Sequence, residues 1–136
     1  MPNAGYVDDP TVPNDSELWR RIPPKLIVLD ENMGRRRPSS AAFKNSRDGS
    51  PMSVFLADVL RELNRGPETV LAGHDDFALA AITAGLAREC NQSVARDPLQ
   101  GEPAHAIVIG KKTEAVRTKL ALGSHWIVLP PQPQRI

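Results

Sequence analysis

The chain has 136 residues, of which 40% are hydrophobic and 24% charged, enough for one globular domain with a substantial core. Its formal net charge of +1 excludes the strong positive field of many nucleic-acid-binding domains. The single cysteine, Cys90, excludes an internal disulfide and a multi-cysteine zinc site, and its apolar neighbours predict a buried side chain. No apolar run approaches the roughly 20 residues of a membrane span, and the N-terminus lacks the pattern of a secretory signal, so we expect a soluble cytoplasmic protein.

Composition divides the chain into three parts. Residues 1–16 combine acids with Pro, Asn and Ser, contain no base, and predict an acidic N-terminal arm that is either flexible or docked peripherally on the domain. Residues 17–131 hold every apolar segment and predict a single α+β, or small α/β, domain. Residues 132–136 predict a loose C-terminal tail.

The first half of the domain suggests one strand, one helical turn and one helix. Residues 26–29 read as a buried strand after two prolines. Ser39 is suited to cap a short helical turn that is anchored by Phe43. Ser53 is suited to cap a longer helix that continues to Leu63, because apolar residues recur on one face of it.

The next two segments are less distinct. Residues 75–90 fit both a helical stripe and a strand alternation, and their alanine content favours a helix. Residues 92–96 read as a short strand.

The C-terminal segment, residues 103–129, predicts a β-α-β unit. Residues 107–109 and 126–129 read as strands, and the helix between them should be capped by Thr113 and end at Gly123. The intervening length suits a parallel crossover. We therefore expect a small sheet that contains these strands and residues 26–29, covered by the helices that begin at Ser53 and Thr113.

The turn inside this unit resembles a phosphate-binding loop in its residue types. Gly110, Lys111, Lys112 and Thr113 connect a strand to a helix, where free N–H groups and positive charge favour an anion. The spacing does not match, because no glycine stands five residues before Gly110, where such a loop needs one. The pattern therefore favours a simple turn with two solvated lysines, with a weak phosphate or carboxylate contact as the alternative.

Arginines dominate the basic region between residues 17 and 47, which holds eight Lys or Arg residues against three acids. Arg35, Arg36 and Arg37 lie next to Ser39 and Ser40. Guanidinium groups beside hydroxyls can bind a phosphate or an acidic protein surface. The alternative is an ordinary solvated face.

Three histidines are available for acid–base chemistry, namely His74, His105 and His125. No pair has the spacing of a metal-binding motif, so we predict no metal site. His105 precedes a strand and is the strongest candidate for a general base, against the alternative of a structural histidine.

Four segments carry a resemblance to a family of small uncharacterised bacterial proteins. They are residues 18–23 (LWRRIP), 37–43 (RPSSAAF), 51–54 (PMSV) and 103–106 (PAHA). This resemblance spans most of residues 18–129 and implies no activity.

A second resemblance is to ADP-ribosyltransferase-like toxins of the RES type. Those enzymes bind NAD with an arginine on an early strand, a Gly-Arg turn and a serine before an apolar helix. The resemblance implies that Arg21, Gly34 with Arg35, and Ser53 take these places. It points to no particular glutamate as the catalytic acid.

Two functions remain open. The first is an accessory protein that binds a partner protein through the basic arginine loop. The alternative is an NAD- or nucleotide-handling enzyme, with Arg21, Ser53 and His105 as candidate catalytic residues; beyond NAD the sequence names no cofactor. An enzyme should bring these residues and Arg35–Arg37 to a common pocket.

Overall fold

A six-stranded antiparallel sheet forms the centre of the structure, a computed structural model that describes residues 7–131. Its strands are β1 (Glu17–Ile22), β4 (Met52–Leu56), β5 (Ala78–Thr83), β6 (Ser93–Arg96), β7 (His105–Ile109) and β8 (His125–Val128). They lie in the order β6-β7-β4-β1-β5-β8. A separate hairpin consists of β2 (Ile27–Asp30) and β3 (Arg35–Pro38). The fold is therefore α+β, as predicted.

Helices cover both faces of the sheet. The α-helices are α1 (Ala57–Glu62), α2 (Pro67–Val70), α3 (Ala84–Glu89) and α4 (Glu114–Leu122), and single 3-10 turns occupy Pro24–Leu26 and Ser40–Ala42. Alternate residues of each strand point to opposite faces. One face, with Ile22 and Val54, packs against α3, α4 and Phe43. The other, with Trp19 and Phe55, packs against α1 and α2.

The central strand β1 was not predicted from the sequence. It pairs with β5 along six residues. Leu18 and Ile22 are fully buried on one face and Trp19 is buried on the other. The two adjacent charges of Arg20 and Arg21 interrupt the apolar pattern that is typical of a buried strand.

The predicted helix from Ser53 to Leu63 is wrong in its first part. Residues 52–56 form β4 and only Ala57 begins the helix. These residues form a strand because pairing of β4 with β7 and β1 overrides their weak local preference for a helix. Residues 75–90 contain both alternatives in succession, β5 followed by α3.

The predicted arrangement of strands also needs correction. Residues 27–30 form a hairpin with β3 and do not join the main sheet. The β-α-β unit exists, and α4 has its N-cap at Thr113 and its C-cap at Gly123 as predicted. However, β4, β1 and β5 lie between β7 and β8, so the two strands run parallel without being neighbours.

Residues 7–16, predicted to be part of a flexible or peripherally docked arm, are docked on the domain. Val12 is 1% exposed. The guanidinium of Arg88 donates to the Asp8 carboxylate, the Asn14 side chain and the carbonyls of Asp9 and Val12. The rest of the predicted arm, residues 1–6, and the predicted tail, residues 132–136, lie outside the described residues.

Two further findings concern the described part of the chain. Cys90 is buried as predicted, and burial raises the pKa of its thiol. Over residues 7–131, none of the helices has the length and apolar character needed to cross a bilayer.

Candidate active site

A cavity of about 340 Å³ opens where β1 and β4 separate. The two strands pair only at Leu18 with Leu56 and at Trp19 with Phe55. Beyond these pairs, β1 follows β5 and β4 follows β7. The cavity is lined by Arg20, Arg21, Ser53, Phe55, Leu99, Glu102 and His105. Its volume falls within the range of small-molecule sites.

Arg20 connects β1 to β4 at the level where these two strands have separated. Its guanidinium donates to the carbonyls of Ser53 at 2.7 Å and Ala42 at 3.0 Å. The bond to Ser53 links β1 to β4 where the backbone pairing between them is absent, and the bond to Ala42 links β1 to the 3-10 turn. Burial lowers the pKa of Arg20 to about 10, so the side chain remains a cation at neutral pH.

Arg21 supplies a second cation to the cavity. Its Nε donates to the Val70 carbonyl at 2.7 Å, and its guanidinium carbon lies 4.8 Å from the centre of the Phe55 ring. Burial lowers the pKa of Arg21, and the charge of Glu102 opposes that shift. The guanidinium is thus oriented over an aromatic surface at the cavity wall.

Ser53 and His105 make direct contact across β4 and β7. The Ser53 Oγ lies 3.1 Å from His105 Nε2. On the other side of the ring, Nδ1 lies 3.1 Å from Asp97 Oδ2 and 2.9 Å from the Asp97 carbonyl oxygen. The ring meets Phe55 edge-on, with centroids 6.4 Å apart. A hydroxyl, an imidazole and a carboxylate therefore stand in series beside the cavity.

Glu102 forms the outer wall with Leu99. The carboxylate accepts two hydrogen bonds from Arg65, at 2.6 and 2.8 Å. The Arg65 hydrogen bond is the main cause of a lowered pKa at Glu102. A reversal at Gly101, whose φ is +82°, brings Leu99 and Glu102 into register as an isolated β-bridge.

The structure brings three of the predicted residues together and leaves the others apart. Arg21, Ser53 and His105 line one cavity. Arg36 donates to the carbonyls of Pro130 and Pro131, and Arg37 binds Asp30 at 2.7 Å. Arg36 therefore attaches the β2–β3 hairpin to the C-terminal segment, and Arg37 links the two strands of the hairpin. Arg35–Arg37 do not line this cavity, so the arrangement expected of an enzyme is found for Arg21, Ser53 and His105 but is wrong for the three arginines of the hairpin.

The serines next to these arginines and the lysines of the Gly-Lys-Lys-Thr turn have separate environments. The Ser39 side chain caps the 3-10 turn by accepting from the Ala41 N–H, as predicted for a cap. Ser40 is half-buried in that turn and Lys111 is exposed. The Lys112 ammonium is not solvated as expected, because it donates to Asn45 Oδ1 and to the carbonyls of Val108 and Gly110.

Lys112 should make stability rise with pH in the alkaline range. Burial, with a smaller repulsion from Arg20, lowers its pKa from the usual 10.5 to about 8. Between these values the unfolded chain binds more protons, so stability increases as pH rises. The side chain is half-buried and solvent-screened, which reduces the expected gain to about 1–2 kcal/mol.

Urea unfolding at about pH 7 and about pH 9.5 measures this gain, with the Lys112→Met variant as reference. Titration of other groups affects both proteins equally, so the difference between their pH slopes isolates Lys112. Equal slopes in the two proteins would contradict the assignment.

Sequence reasoning missed five residues of the site. The sequence patterns give Arg20 and Phe55 no place in a cavity and do not single out Asp97, Leu99 or Glu102. The available signal was the pair of acids close before His105, since a histidine base is often oriented by a carboxylate. Among residues 7–131, no group of three or more His, Cys, Asp or Glu side chains is placed to hold a metal ion.

Comparisons with protein-family models, with curated proteins and with solved structures give no match to this chain.

Proposed function

We propose that the chain is an enzyme that acts on a small anionic compound of nucleotide type, NAD among them, in the cavity between β1 and β4. The observation that carries the proposal is the convergence of Arg21, Ser53 and His105 on one cavity from three different strands. Convergence of reactive side chains on one pocket is the usual mark of an active site.

The chemistry of the lining supports an anion with an aromatic part. Arg21 can pair with a phosphate through the edge of its guanidinium. Leu99, which is 49% exposed, offers apolar surface to a base. Glu102 has acceptor oxygens next to the same space, and a carboxylate there suits sugar hydroxyls.

Arg21→Gln should weaken binding of NAD or ADP about 10-fold or more, because a charge-assisted hydrogen bond contributes about 1.5–3 kcal/mol. Isothermal titration calorimetry with each nucleotide measures the effect. Arg35→Gln is the matched control, since it removes the same charge from the exposed start of β3. It should leave nucleotide affinity unchanged, and thermal melting should show that both variants fold.

Absence of nucleotide binding to the unmodified chain, or equal losses in the two variants, would contradict the proposal.

The alternative of a protein partner stays a prediction. It is supported by the exposed surface of the hairpin, where Leu29 is 67% and Val28 37% exposed, and where Arg35 is exposed at the start of β3. A partner complex that Arg35→Gln weakens more strongly at low than at high salt would favour that alternative.

A further inference from the structure

The hydrogen bonds of His105 define which of its nitrogen atoms carries the proton. Nδ1 faces two oxygen atoms of Asp97, the carbonyl and the carboxylate, and both accept hydrogen bonds. Nδ1 therefore carries the proton of the neutral ring. Nε2 is left with its lone pair toward the Ser53 hydroxyl, 3.1 Å away.

We propose that Ser53 is a nucleophile, that His105 is its general base, and that Asp97 positions the ring, so that the cavity hydrolyses carboxylic esters of phosphorylated, nucleotide-type compounds. Serine, histidine and aspartate in this series activate a hydroxyl in unrelated folds, and they are recognised by geometry rather than by sequence order. The inference rests on the proposed function, because both use the same cavity.

The sheet fixes this arrangement. Ser53 pairs with Ile107 of β7 and Phe55 pairs with His105, which sets the register between the serine and the imidazole. The His105 side chain is 12% exposed, whereas that of Asp97 is 42% exposed. The hydroxyl lines the cavity because β1 has left β4 at this level.

The reaction balances with water alone. Ser53 Oγ bonds to the ester carbonyl carbon and its proton passes to His105 Nε2. The bond to the alcohol then breaks, and the alcohol oxygen takes that proton. Water attacks the acyl-serine and gives a proton to His105; cleavage of the bond to Oγ releases the carboxylic acid and returns the proton to Ser53.

Arg21 explains why the substrate should be charged. It lines the cavity together with Ser53 and stands over Phe55. A phosphate held there would place the rest of the molecule along the face of the sheet that carries the hydroxyl. Binding at a remote charged group is a general way to orient a reacting bond.

A fluorophosphonate probe tests the nucleophile without knowledge of the substrate. Reaction forms a bond from Ser53 Oγ to phosphorus, expels fluoride and transfers the hydroxyl proton to His105. Intact-protein and peptide mass spectrometry should locate one adduct on Ser53. Ser53→Ala should abolish it, whereas Ser46→Ala, at an exposed loop serine, should label like the unmodified chain.

The two supporting residues should differ in effect. His105→Gln should slow labelling about 100-fold or more, the scale of general-base catalysis. Asp97→Asn should slow it about 10-fold, because the Asp97 carbonyl still holds Nδ1. Nucleotide affinity should be unchanged in Asp97→Asn, which separates positioning of the base from damage to the cavity, and melting curves check that each variant folds.

Hydrolysis of an acetyl ester of ADP-ribose provides a second test, which measures the proposed esterase reaction itself. The unmodified chain should release acetate, Ser53→Ala should not, and Arg21→Gln should raise KM while labelling by the uncharged probe persists. Nucleotide binding without any adduct on Ser53 would overturn this inference and leave the proposed function standing. An adduct on Ser53 without nucleotide binding would overturn the nucleotide-type substrate in both proposals and leave only the activated serine. If His105→Gln were labelled at the same rate as the unmodified chain, the proposal that His105 activates Ser53 would be overturned.

Discussion

Phe43→Ala should destabilise the chain by about 3–5 kcal/mol, the usual cost of removing a buried phenylalanine ring. Phe43 is fully buried and belongs to the larger core cluster, between the sheet and α4. The ring follows the 3-10 turn Ser40–Ala42, so it also fixes the loop that leads to β4. Because total stability of a domain this size is about 5–15 kcal/mol, the variant should be close to the limit of folding.

Equilibrium urea unfolding measures this loss, and the thermal midpoint should fall by roughly 10–20 °C. Phe77→Ala is the control, since Phe77 is only half-buried and its ring contacts His74 at 4.8 Å between centroids. We expect a cost of about 1 kcal/mol there, in line with an ordinary substitution outside the core. Equal costs for the two phenylalanines would contradict the position of Phe43 in the core.

Local signals predicted those elements whose ends are set by nearby residues. Thr113 accepts from the Val116 N–H and Gly123 ends the same helix. Ser39 caps its short turn. In these cases the capping side chain and the capped N–H are two or three residues apart, so sequence alone carries the information.

Strand order could not be predicted, because it depends on contacts between distant segments. Residues 53–56 show helical spacing, yet they pair with β7 about 50 residues later. β1 carries two adjacent arginines, and Arg20 is accommodated because carbonyls of Ala42 and Ser53 lie at its end. Neither partner is visible from the sequence around Arg20.

The candidate site was predicted in part for the same reason. Arg21, Ser53 and His105 stand out as reactive residue types, and each could be chosen singly. Their convergence required the register between β4 and β7 and the separation of β1 from β4. Asp97 and Glu102 owe their positions to the turn at Gly101 and to Arg65, which no local pattern indicates.

Gly110→Ala should be the second severe substitution, with a cost of about 2–4 kcal/mol from backbone strain and a displaced side chain. Gly110 has φ of +146°, a conformation that residues with a side chain rarely adopt. A Cβ there would stand 2.6 Å from Gln92 Oε1. Gln92 is 5% exposed, and its Nε2 donates to the carbonyls of Cys90 and Lys111, so it cannot move without loss of these bonds.

Gly34→Ala separates the cost of backbone strain from the cost of displacing a neighbouring side chain. Gly34 has φ of +68°, but a Cβ there would meet nothing within 4 Å, so only backbone strain of about 1 kcal/mol is expected. Urea unfolding of Gly110→Ala, Gln92→Ala and the double variant then measures the contact itself. The double variant should be more stable than the sum of the single losses predicts, by about 1 kcal/mol or more. Simple additivity would show that Gln92 does not exclude a side chain at position 110.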